Sequence, residues 1–237
     1  GGNRCNRGSG VERLTNADGL LSLTVNPLHW NPNWDFADCT NDGCDDRDLR
    51  ELRSDVDADQ ELRFVRHHVV ELTYHVHNLA DIDHAATAQE MPTVYTANGA
   101  GGTADLWRLF DSSLTQVDIN VPAGGDGFNY RNFTSPGGWV AMQNSDSTYG
   151  VGMYYENRTT EFQGWQLRSL PFNNFRALFE FGIPAHGTVI ARAYLILGSL
   201  STVASEAAWL DANLAPFGRL DTPTADETLS GTVTVQG

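Results

Sequence analysis

Leu62-Arg-Phe-Val-Arg-His-His-Val-Val-Glu-Leu-Thr-Tyr-His-Val-His-Asn78 contains no glycine or proline and is dense in β-branched and aromatic side chains. That content predicts a strand. At about 3.3 Å per residue, an unbroken strand here would extend about 50 Å, longer than most. Alternation then sorts its side chains onto two faces. Phe64, Arg66, His68, Val70, Leu72, Tyr74 and Val76 take one; Val65, His67, Val69, Glu71, Thr73, His75 and His77 take the other.

Outward from this stretch, short apolar runs predict further strands. They are Leu20–Val25, Met91–Thr96, Leu114–Val121, Gly138–Gln143, Tyr149–Glu156, Phe162–Leu170, Arg176–Phe181 and Thr188–Leu197. Turn-rich segments separate them, among them Asn98–Gly102, Pro122–Gly127 and Ser135–Gly138. A single good helix is predicted at Thr202–Asn213, capped by Ser201, with Val203, Ala207, Leu210 and Leu214 on one face. Many strands with glycine-rich turns and one late helix predict an all-β fold. The long strands favour a large antiparallel two-sheet sandwich, of supersandwich or jelly-roll type, with one short C-terminal helix.

The chain has 237 residues, 41% hydrophobic and 10% aromatic, enough to bury a sizeable core. Fifteen basic against thirty acidic residues give a net charge of −15, which disfavours nucleic acid and anionic membrane as partners. All fifteen are Arg, so lysine-based Schiff-base chemistry and a Walker-type phosphate loop are excluded. No apolar run reaches the roughly 20 residues of a membrane span. The domain is expected at 16–218, preceded by a linker or processed terminus at 1–15. Residues 219–237 read as a linker and the first strand of a following module, or alternatively as a last strand of the main domain.

Candidate chemistry concentrates at four places. On the second face of the long strand, Glu71, His67 and His75 are candidate acid–base groups, with His77 as a substrate contact. His75 and His77, alternate residues on one face, are spaced to reach one metal ion; an ordinary solvated strand face is the alternative for all of these residues. Tyr74 is a further candidate base, although it alternates onto the opposite face. Glu90, just before Met91-Pro92, is expected to project from a strand start. Asp38, Thr40, Asp42 and Asp46, with Gly43 at the turn, approximate a short calcium loop; a solvated acidic loop is the alternative. Trp30, Trp34 and Tyr95 are candidate aromatic platforms for sugar rings.

Cysteines 39 and 44 bound the acidic loop, which predicts a local disulfide and leaves Cys5 free or paired elsewhere. Absent lysine, abundant Asp and Gly, and this cysteine-bounded loop suggest a bacterial protein, extracellular or at the cell surface.

Glu90–Tyr95, Gly138-Trp-Val-Ala141, Tyr149-Gly-Val-Gly-Met-Tyr154 and Arg192-Ala-Tyr-Leu-Ile-Leu-Gly198 resemble motifs of uncharacterised secreted bacterial β-sandwich proteins. That pattern is similar to the supersandwich folds of glycan-active enzymes and sugar epimerases, over roughly residues 60–215. The tail around Ser230-Gly-Thr-Val233 resembles the opening strand of bacterial immunoglobulin-like modules. The resemblance implies the fold and a carbohydrate bias, and it assigns no catalytic residue. A secreted enzyme that cleaves a polysaccharide by hydrolysis or elimination is the first expectation. A glycan-binding or adhesive module is the second expectation. A structural subunit whose bare strand edges pair between copies is the third.

Overall fold

His67 and His68 end the predicted long strand. In a computed structural model of the chain they turn it back on itself, so that Val56–Arg66 and Val69–Asn78 are two antiparallel strands. The register slips between Phe64 and Arg66, a bulge that absorbs the misfit of the turn. Among the described residues, the non-glycine positions with left-handed backbone are Asn6, Asp18, Leu114, Ser147 and His186. The His-His turn therefore uses none of the Gly, Asn or Asp chemistry that marks a tight hairpin in a sequence. The structure describes Asn3, Cys44 and residues 5–29, 47–89, 91–97, 105–119, 128–156, 159–167 and 172–214.

The strands are β1 (Gly10–Ala17), β2 (Leu20–Asn26), β3 (Val56–Arg66), β4 (Val69–Asn78), β5 (His84–Gln89), β6 (Thr93–Ala97), β7 (Arg108–Phe110) and β8 (Gln116–Val117). They continue as β9 (Phe128–Thr134), β10 (Trp139–Gln143), β11 (Gly150–Tyr155), β12 (Glu161–Leu167), β13 (Phe172–Ala177), β14 (Phe179–Ile183) and β15 (Thr188–Leu197). Among the described residues there are also two helices, α1 (Arg47–Arg50) and α2 (Leu200–Asn213). A nine-stranded sheet runs β1-β2-β3-β4-β15-β11-β10-β7-β8, a four-stranded sheet runs β6-β13-β12-β9, and β14 pairs with β5. The strand pairings are antiparallel, and the expected all-β sandwich with a late helix is what the chain forms.

The core lies between the two larger sheets. Leu72, Val140, Met142, Val151, Met153, Tyr155 and Ala193 from the first sheet meet Phe162, Phe175 and Ala177 from the second. On the other face of the nine-stranded sheet, Val203, Ala207 and Leu210 of α2 pack on Val69, Trp139, Ala141, Tyr154, Tyr194 and Ile196. The helix begins two residues earlier than predicted, and Ser199 is its cap: its hydroxyl accepts from the Thr202 amide at 3.2 Å. Gly152 lets the helix sit this close. A β-carbon there would lie 2.2 Å from Cγ1 of Val203. Gly152→Ala is expected to push α2 outward and cost about 1–3 kcal/mol in urea unfolding; unchanged stability would refute that packing role.

The N-terminal region departs from the expected linker. β1 starts at Gly10 and pairs with β2 along its length, so the sheet includes residues assigned to a linker at 1–15. Asn3 is buried; its amide donates to Arg50 O at 2.7 Å, and its Oδ1 accepts from the Cys5 and Arg7 amides. That anchor brings Cys5 to Cys44, and the disulfide joins these two rather than the predicted Cys39 and Cys44. Proximity in sequence lost to a fold contact that the spacing of cysteines does not encode.

Candidate functional site

The face of β4 that carries Glu71, Thr73, His75 and His77 is turned away from the core between the sheets. Register extends this face across its neighbours: Arg63 and Tyr194 flank Glu71, Glu61 and Arg192 flank Thr73, Asp59 and Ile190 flank His75, and Asp57 and Thr188 flank His77. Two acid–arginine pairs occupy its upper part. Arg63 donates to Glu71 through Nε at 2.9 Å and Nη2 at 2.8 Å. Arg192 holds both oxygens of the buried Glu156, at 3.0 and 3.1 Å. Between them Tyr194 is buried, and its phenol is pushed upward by burial and then by the charges of Glu156 and Glu71.

Lower on the same face the polar groups partner one another. His77 Nδ1 lies 2.8 Å from the Thr188 hydroxyl and Nε2 3.3 Å from Asp59. The Thr24 hydroxyl donates to Asp59, and this bond, with His77 behind it, holds the Asp59 carboxyl below its usual range. The rings of His75 and His77 stack with centroids 6.5 Å apart. Among the described residues no group of three or more His, Cys, Asp or Glu is placed to hold a metal ion. Both ring nitrogens of His77 have partners, Thr188 and Asp59.

The other strand candidates are scattered. His67 sits in the hairpin turn, its ring edge-on to His68 at 4.6 Å, and does not share the β4 face. Tyr74 faces the core, takes a hydrogen bond from Gln60 Nε2 at 2.9 Å, and burial pushes its phenol up to about 12. A tyrosine so shifted stays protonated at neutral pH and is a poor general base. Glu90, Trp30, Trp34, Asp38, Thr40, Asp42 and Asp46 lie outside the described residues.

Tyr95 is the predicted contact that the fold places at a cavity. It stands on β6, the edge strand of the four-stranded sheet, and is 59% exposed. It lines a groove of about 450 Å³ with Val94, Thr96, Asp105, Leu106, Tyr149, Val151 and Leu195. Tyr149, 52% exposed, enters from the turn before β11, while Val151 and Leu195 supply apolar surface from the nine-stranded sheet. Thr96 keeps the edge strand in place: its hydroxyl lies within 3.3 Å of Leu106 O and Asn173 O. The groove thus combines two accessible phenol rings, one carboxylate and an aliphatic floor. Rings of this kind accept the C–H faces of a sugar while a carboxylate takes its hydroxyl hydrogens. Sequence reasoning missed Tyr149 and Asp105. An aromatic directly after the polar turn Asn144–Thr148 was the available signal for the first; nothing marked the second.

No protein-family model matches the chain, and no curated protein does. Among solved structures it is similar to the Slr1438 protein of Synechocystis sp. PCC 6803, at 8% identity and a TM-score of 0.43, over 81% of this chain and 66% of that one. It is similar to a galactose mutarotase related enzyme of Lactobacillus acidophilus, at 7% identity and a TM-score of 0.43, over 82% of this chain and 72% of that one. A heparan sulfate lyase of Pedobacter heparinus matches at 10% identity and a TM-score of 0.36, over 81% of this chain and 22% of the enzyme. At these scores the likeness assigns neither substrate nor activity to this chain.

Proposed function

We propose that this chain is a carbohydrate-binding β-sandwich protein that holds a glycan in the groove between Tyr95 and Tyr149. The observation that carries the reading is the pair of accessible tyrosines lining one cavity with Asp105. Retention of the glycan is better supported than its cleavage. Glycoside hydrolysis generally needs two carboxyl groups across the bond, and Asp105 is the one carboxylate among the described residues of the groove. Glu71, the strand carboxylate, is engaged by Arg63 on the opposite side of the nine-stranded sheet. The Cys5–Cys44 disulfide supports a location outside the cell, where such bonds persist.

Affinity electrophoresis on neutral, amino and uronate polysaccharides, with reducing-end and unsaturated-product assays in parallel, tests this. Retardation without product is expected. Tyr95→Ala and Tyr149→Ala are each expected to weaken binding roughly tenfold, the loss of one ring contact. If every glycan passes unretarded, or both variants bind like the parent, the groove is not the site. New reducing ends would restore cleavage as the function.

A further inference from the structure

We infer that two copies of this chain associate edge to edge through β1 across a two-fold axis. β1 ends the nine-stranded sheet, all eight of its residues are exposed, and among the described residues no strand pairs with its outer edge. A strand in that position presents a row of backbone donors and acceptors ready for another strand. Its side chains say which strand fits.

The register of β1 on β2 slips between Val11 and Arg13. Val11 opposes Val25 and Leu14 opposes Leu23, which aligns both with the face that carries Leu72 and Tyr74 toward the core. They remain 59% and 63% exposed. Arg13 opposes Thr24 and so lies on the other face, where its charge acts on Asp59. Glu12 lies on that face too: it reaches Arg53 at 3.4 Å, and Arg53 also contacts Asn26, the cross-strand neighbour of Gly10. The irregularity thus sets two opposite charges side by side on one face and two apolar residues on the other.

An axis between Glu12 and Arg13 makes this arrangement complementary to itself. Glu12 then opposes Arg13 of the partner subunit, and Val11 opposes Leu14 of the partner subunit. Cross-strand pairs of both kinds are favourable, and like charges directly opposite are not. Sliding the pairing by one residue in either direction sets Glu12 against Glu12, or Arg13 against Arg13. The charges therefore permit one register and oppose its neighbours, a pattern that a second copy satisfies and an arbitrary strand does not. One strand pair is a small interface, so the dimer is weak, with a dissociation constant of roughly 10–100 µM.

Sedimentation equilibrium from about 1 µM to about 1 mM reads the mass directly, and near-ultraviolet circular dichroism confirms that each variant is folded. A reversible monomer–dimer equilibrium is expected. Glu12→Arg and Arg13→Glu should each raise the dissociation constant at least about tenfold, and the double reversal should return it close to the parent value. Leu14→Lys, on the apolar face, should weaken the dimer independently of both charges. A monomer at every concentration overturns the inference, whether the edge is left bare or taken by another segment. A dimer indifferent to the single reversals, or not rescued by the double one, overturns it as well.

Discussion

Asn78→Ala is expected to lower the melting temperature by about 6–12 °C. Asn78 closes β4 and is buried, and its side-chain amide is spent on three carbonyls: Ile82 at 2.8 Å, Pro184 at 3.1 Å and Ile183 at 3.2 Å. Its Oδ1 accepts from the Ala80 amide at 2.9 Å. One side chain thereby ties the loop leading into β5 to the loop joining β14 and β15. Alanine would leave buried backbone groups without partners, each an expense of about 1–3 kcal/mol, for a total near 3 kcal/mol. In a chain of this size each kcal/mol moves the midpoint by about 2–4 °C. Asn78→Asp keeps the acceptor but sets a carboxylate against three carbonyl oxygens, so it should be no milder. Differential scanning calorimetry decides; a fall of less than about 2 °C would mean that the loops hold without this side chain.

Arg192→Met is the second large effect, expected near 2–3 kcal/mol. It strands Glu156, a buried carboxylate that Arg192 grips through both oxygens, and removes the contact with Thr73 at 3.4 Å. Breaking a fully buried ion pair costs about 3–5 kcal/mol; Arg192 is partly open to water, which lowers the figure. The cost should come mainly from the orphaned charge. Arg192→Met combined with Glu156→Gln should therefore recover about half of the loss or more in urea unfolding. If the double variant is as unstable as the sum of the singles, the packing of the arginine stem matters more than its charge.

The core of the sandwich was largely legible. Thr188–Leu197 was bounded as the fold has it, Gly138–Gln143 differs from β10 by one residue at its start, and Tyr149–Glu156 differs from β11 by one residue at each end. These are continuous apolar runs between turn residues, which is what strands covered on both faces look like. The margins were not. β1, β5, β7 and β9 carry few apolar residues or are short, so they give weak periodic signals. Arg176–Phe181 looked like one strand and is the end of β13 followed by β14, because the break at Leu178 has no turn residue. Of Leu114–Val121, the described residues through Ile119 form strand at the two residues of β8, and Leu114 itself has a left-handed backbone.

The candidate site divides in the same way. Alternation alone put Glu71, Thr73, His75 and His77 on one face of β4, because the two-residue period is a local property of any strand. The partners of those residues came from elsewhere: Asp59 from β3, Arg192 and Thr188 from β15, Thr24 from β2. The sequence by itself determined the all-β class, the late helix and the aromatic character of Tyr95. Tertiary structure decided that His67 and His68 form a turn, that Cys5 rather than Cys39 meets Cys44, and that Tyr95, Asp105 and Tyr149 share one groove. The physical reason is that backbone alternation and turn propensity act within a few residues. Strand register, by contrast, is fixed by burying one face across the whole sheet, and only that long-range choice sets distant side chains side by side.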